Sequence, residues 1–276
     1  TGPGNLTIES SGDDFTADIV TGTHVQLAGT ALGNLIIGKT GNSSTININS
    51  PIAVSDDISI YSGELTVNNN ITSNNSGSDV LFNSSNITLN APITSSGTST
   101  VTINSSGNVI DGINGSFVGK IISTNLLLTG NGNFNLDSTT NNVSTISAGS
   151  NASRLGSLNF TNSNALVVGS VGSNSGIYTI GTIAISTLTG DLSVSQNINT
   201  QNTSTTALIL NASQSTAAGV SSGGDLKFSG GASITIGANA RAKLYSGSIA
   251  GSTGLTAITG SGSNRFRYNS DESNSN

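Results

Sequence analysis

Between Ser44 and Ile103 the chain repeats one pattern three times, and that repeat restricts the fold more than any other feature of its 276 residues. Each copy opens with two apolar residues one position apart, then gives a polar corner and a lone Ile: Ile46, Ile48 and Ile52; Leu65, Val67 and Ile71; Ile87, Leu89 and Ile93. A second apolar pair follows in each copy: Ile58 and Ile60, Val80 and Phe82, Val101 and Ile103. Apolar side chains at alternate positions line one face of a strand. The unit measures 19 residues from Ile48 to Val67 and 22 from Val67 to Leu89. Units of about 20 residues that hold strands and turns but no helix bury their apolar side only by stacking on their neighbours. The pattern therefore predicts an all-β fold, a parallel β-helix (β-solenoid) with coils of about 20 residues, each made of two short strands and a brief third segment.

Asn49, Asn68 and Asn90 recur just after the second apolar residue of each opening pair. Asn tolerates the left-handed backbone of a sharp bend, and stacked Asn side chains can hydrogen-bond from coil to coil. Pro51 and Pro92 precede the lone Ile in two copies, where a fixed φ and a missing N–H suit a turn. These residues are read as corner-makers.

Charged residues make up only 8% of the chain and hydrophobic ones 34%, against about 25% charged in an ordinary globular domain. The surface is therefore neutral and polar, supplied by Ser, Thr, Asn and Gly. Evenly spaced Ile, Leu and Val with little charge argue against disorder. Cys, Met and Trp are absent, so neither disulfides nor thiol chemistry contribute. The missing Met suggests a piece of something longer. A net charge of −6 with scattered basic residues argues against nucleic acid. No apolar run approaches the roughly 20 residues needed to cross a bilayer as a helix, which argues against membrane insertion.

Before the repeat, Leu6 and Ile8 resemble an opening pair, Asp13, Asp14 and Asp18 fall in the next loop, and HVQLAG and NLIIGK read as two short strands. From Asn108 to Asn142 the coil register is not legible, although the apolar Ile121, Ile122, Leu126, Leu127 and Leu128 read as strand. Late copies then reproduce the spacing: Leu192, Val194 and Ile198 with Leu208 and Leu210, and Leu226, Phe228 and Ala232 with Ile234 and Ile236. Gly190-Asp191, Gly224-Asp225 and Gly63-Glu64 open their copies, and the acidic residue reads as a turn-former. Residues 1–240 are thus expected to form the solenoid, and 241–276 its end and a polar connection to a following module.

Coils of the form LTVNNNI and ITLNAPI, and the closing ARAKLYSGSIAGSTGLTAITGSGSNRFRYNSDE, are similar to segments of the very large secreted bacterial exoproteins of the filamentous haemagglutinin class. The resemblance implies a right-handed parallel β-helix exported to the cell surface or beyond, working in attachment, biofilm or extracellular matrix. No counterpart of that family's amino-terminal transporter-recognition domain is found here.

Parallel β-helices also carry polysaccharide-cleaving enzymes, which bring several carboxylates together as acid, base or nucleophile. Only Asp13 with Asp14 and Asp56 with Asp57 are adjacent, both in apparent loops, and Tyr61, Phe82, Phe134 and Phe160 are too scattered to predict an aromatic groove. His24 is the only histidine, and no G-x-S-x-G elbow accompanies it. Gly223-Gly224-Asp225 is a lone fragment of a calcium-binding β-roll repeat; Asp13 and Asp14 could take up calcium weakly through oxygen ligands. Thr-x-Thr pairs lack the fixed phase of an ice-binding array. No catalytic, cofactor-binding or metal-ligating residue is therefore assigned. The expectation is a non-catalytic segment of a surface adhesin that meets host or matrix glycans, proteins or copies of itself, end-to-end self-association included. The alternative is a β-helix enzyme acting on polysaccharide. At ~4.8 Å per coil, about a dozen coils would stack over roughly 60 Å.

Overall fold

The structure, a computed structural model, describes residues 4–27, 32–217, 220, 222–248 and 250–259, without the side chains at 114, 117, 256 and 259. Strands make up 51% of the chain and helix 1%, and the parallel strands stack into a β-solenoid of about 8 turns with about 24 residues per turn. The coils fall into two compact units, Thr1–Ser138 and Thr139–Asn276.

In the first unit the repeated apolar residues form continuous columns. Ile46, Leu65, Ile87, Val109 and Phe134 lie one above another. Ile60, Phe82, Ile103 and Leu128 make a second column, and Ile52, Ile71, Ile93 and Ile121 a third. All of these side chains are buried. Each coil can bury its apolar edge only against the coil before and after it, which is why the spacing repeats. The second pair of one copy and the opening pair of the next share a single strand, Ile58–Val67 or Val80–Leu89. The expected separate short strands are thus joined, because the buried Ser62 and Ser84 are small enough to turn the corner without breaking the extended backbone. Of the two strands expected before the repeat, NLIIGK falls in Leu32–Ile37. HVQLAG does not form one: His24 sits in a tight turn, Val25 makes a single bridge with Thr21, and Ala28 and Gly29 lie outside the described residues.

The stretch from Asn108 to Asn142 resists reading because a hairpin interrupts it. Asn108–Asp111 stacks on Ile87–Leu89 as the period requires. Then Ile113–Asn114 and Phe117–Val118 pair antiparallel. The extra residues delay the next coil, so Leu126 rather than an earlier residue lands on Val101. Insertions of this kind lengthen the coil, and the chain holds about 8 turns instead of a dozen.

In the second unit the columns are Leu158, Ile183, Leu208 and Ala242; Phe160, Ile185, Leu210 and Leu244; Leu166, Leu192 and Leu226; and Ile177, Ile198 and Ile234. The last column corrects the expected register, in which Ala232 matches Ile198. Gly230 and Gly231, both at positive φ, build a turn closed by the Ala232 N–H on the Ser229 carbonyl (3.0 Å), which postpones the lone Ile to position 234. Ile236 is consequently no partner of Leu210; Leu244 is. Within the segment 241–276, expected to end the solenoid, the strand Ala242–Tyr245 stacks as a further coil on Leu208–Asn211, while 260–276 lie outside the described residues. Thr253 bridges Lys227, and the short helix Leu255–Thr259 follows with Leu255 buried.

Candidate functional site

Hydrogen-bond ladders between coils decide which polar groups remain available. The Asn68 amide donates to the Asn49 side-chain carbonyl at 2.9 Å, and the Asn90 amide to Asn68 at 2.8 Å, as stacked corner amides should. Their backbones do not use the left-handed conformation: among the described residues only Ser213 and Asn239 combine positive φ with a side chain. Asn is selected here for its side-chain amide. In a second ladder the carbonyl or carboxylate oxygen of one coil accepts a backbone N–H of the next. Asn5 accepts from Asn34 (3.1 Å), Asn34 from Asp57 (3.0 Å), Asp57 from Asp79 (2.8 Å) and Asp79 from Thr100 (2.8 Å). In the second unit Asp191 accepts from the Asp225 N–H at 2.9 Å, and Asp225 from the Ser248 N–H at 2.8 Å. An acidic side chain at the start of a coil is thereby a bracket to the following coil; Glu64, expected to form a turn, lies instead within the strand Ile58–Val67 and accepts the Asn86 side-chain amide at 3.4 Å.

Of the carboxylates considered for chemistry, Asp14, Asp56 and Asp57 each bond a residue of the following coil. Asp56 accepts the Asn75 amide at 2.7 Å while its neighbour Asp57 serves Asp79, so the two are committed to different partners. Asp14 bonds the backbone N–H and, at 2.8 Å, the hydroxyl of Ser43; those bonds hold its carboxyl below the usual range. Asp191 is lowered by its ion pair with Lys227, whose ammonium is raised in turn. His24 is exposed in its turn, with Nδ1 3.0 Å from the Asp18 carbonyl. No three His, Asp or Glu side chains converge on a metal-sized site among the described residues. Phe82, Phe134 and Phe160 are core residues.

Tyr61 has a different setting. It lies on the wall of a groove of about 310 Å³ at one corner of the first unit, between Lys39 at one end and Gly130 at the other. The floor is the serine column Ser62, Ser84 and Ser105. Its hydroxyls are satisfied internally: Ser62 donates to the Ser84 oxygen (3.2 Å), Ser84 lies 3.1 Å from the Gly63 carbonyl, and Ser105 donates to the Ser85 carbonyl (2.6 Å). Small residues make this corner concave. Gly63 lets adjacent coils approach so closely that a Cβ there would meet the Ser43 carbonyl at 2.0 Å. The wall is an outward row in register, Tyr61, Asn83 and Asn104, which Thr129 continues beyond the groove. The Asn104 amide donates to Asn83 (3.3 Å) and Thr129 donates to Asn104 (3.2 Å). The sequence signal for this site was a row of polar residues one coil apart, Tyr61 to Asn83 to Asn104, which is hard to separate from background where Asn and Ser are everywhere.

A parallel β-solenoid carrying a polar corner groove is the class of molecule these features define. No family model matches the chain, and neither a characterised protein nor a solved structure shows significant similarity to it.

Proposed function

We propose that the chain is a repeat segment of a large secreted bacterial surface adhesin that acts by contact, in cell attachment or extracellular matrix, and not by catalysis. One observation carries the reading: Asp57, Asp79, Asp191 and Asp225 each spend a carboxylate oxygen on a backbone N–H of the next coil, and so are distributed along the stack instead of gathered at one site. At Asp191 the Lys227 ion pair adds to such a bond and holds the carboxyl below its usual range, which makes it a poor proton donor. The neutral outer surface left over is rich in amides and hydroxyls, suited to many weak polar contacts with glycans or proteins.

The test is to coat beads with the purified chain and measure attachment to epithelial cells and to matrix-covered surfaces, with polysaccharide chain length followed in parallel. Attachment above that of uncoated beads, with the polysaccharides left intact, is expected. Depolymerisation that disappears in the double variant Asp56→Asn, Asp57→Asn would overturn the reading in favour of a polysaccharide-acting enzyme.

A further inference from the structure

The corner groove of the first unit points to a particular ligand class: we infer that it binds a linear, uncharged polysaccharide lying along the stack of coils, one sugar for about each coil. This deepens the adhesin reading and rests on it for its biological setting.

The geometry sets the direction. The groove runs across the coils, from Lys39 past Tyr61, Asn83 and Asn104 to Gly130, and each step along it is one coil. Neighbouring parallel strands are ~4.8 Å apart, so five rows span about 19 Å. A sugar ring in an extended glycan advances by a comparable distance, which lets one wall amide meet one ring after another.

The chemistry sets the class. No acidic residue lines the groove, and Lys39 is its single cation, already directed to the Ser10 carbonyl (3.4 Å). Nucleic acid and other polyanions need clustered positive charge, which is missing from the wall. An extended peptide would need unpaired backbone groups to add a strand. The backbone here is already paired between coils, as the Gly63 N–H to the Ser44 carbonyl (3.0 Å) illustrates. Side chains are what the groove offers. Among the described residues no hydrogen bond engages the Tyr61 phenol or the Asn83 amide nitrogen, and both side chains are half-exposed. An amide and a phenol both donate and accept, as sugar hydroxyls do, and the Tyr61 ring offers an apolar face to a pyranose. The serine floor is internally bonded, so it is rigid and makes no competing demand on the ligand.

The experiment titrates the intact chain with six-sugar β-1,4-linked oligosaccharides of glucose, mannose and N-acetylglucosamine, by calorimetry and by saturation-transfer NMR. At least one is expected to bind. Tyr61→Ala should weaken it about tenfold, and Ser85→Trp, an exposed groove position, should abolish it while the melting curve stays unchanged. Absence of binding by all three, or binding that Ser85→Trp leaves intact, overturns the groove assignment. Bead attachment measured on the same variants separates the two readings. Attachment without oligosaccharide binding discards the groove and keeps the adhesin; oligosaccharide binding without attachment does the reverse.

Discussion

The two units solve the same stacking problem with coils of different regularity. In the first, corner residues return after 19 and then 22 positions, and identical amides fall on each other: Asn49, Asn68 and Asn90. In the second, the coil that joins Asp191 to Asp225 takes 34 positions, and loops stand between the strands. A loop has no identical neighbour to bond with, so its polar groups need individual partners. Asn162, fully buried, supplies them: its carbonyl accepts the Val143 N–H (2.9 Å), and its amide reaches the Val143, Asn164 and Ala165 carbonyls (3.0, 2.9 and 3.2 Å). Arg154 pins another loop, donating to the Thr179 carbonyl (3.2 Å) and the Asn199 side chain (2.9 Å) with its guanidinium 5.6 Å from the Tyr178 ring centroid. Regular coils share their polar bonding along a ladder; irregular ones concentrate it in a few residues.

The core should not tell the units apart. Phe82→Ala in the first and Phe160→Ala in the second each remove a fully buried ring, and each should cost about 3–5 kcal/mol in urea unfolding. A large inequality would mean that the columns differ in quality and that the contrast does not lie at the corners.

Corners should separate them. Asn162→Ala leaves several buried backbone groups unpaired and is expected to cost about 2–3 kcal/mol. Asn68→Ala breaks two amide bonds at a half-exposed position, where water can replace them, and should cost about 1 kcal/mol. Equal effects would break the distinction between concentrated and shared bonding.

The smallest expected effects depend on pH. Asp191 has a lowered pKa, so its contribution is present above the unfolded value near 3.8 and is lost as pH falls through the lower folded value. Lys227 has a raised pKa, so its contribution is complete below 10.5 and is lost as pH rises through the higher folded value. Asp14 in the first unit is lowered and has no basic partner among the causes of its shift, leaving only the acid limb. Hydrogen exchange at Leu226 should therefore accelerate at both extremes of pH, with Asp191→Asn removing both responses. Exchange at Ser43 should respond to acid alone. Both responses will be modest, because exposed pairs are screened by water.

The alternating pairs of the first unit were legible because every position is reused: Ile46, Leu65 and Ile87 share an environment, so they share a chemistry. The amide ladder was legible for the same reason. The hairpin after Asp111 was not, because Ile113 and Val118 are apolar yet 71% and 41% exposed, and their pattern mimics a core strand. The shift from Ala232 to Ile234 was hidden by two glycines that belong to a turn inside the unit. The groove was not legible because its wall is defined across coils, by Tyr61 over Asn83 over Asn104, in a chain where Asn and Ser are frequent everywhere.

Column stacking also has a mechanical consequence. Under tension a coil whose backbone ladder to one neighbour gives way can peel from the stack by itself, because no strand ties it to coils further off. A released coil of 22 residues unravels to about 75 Å of chain, while the stack shortens by only ~4.8 Å. Each peeling event therefore yields many times the length it removes, so the chain lengthens in steps and dissipates force before the next coil is loaded.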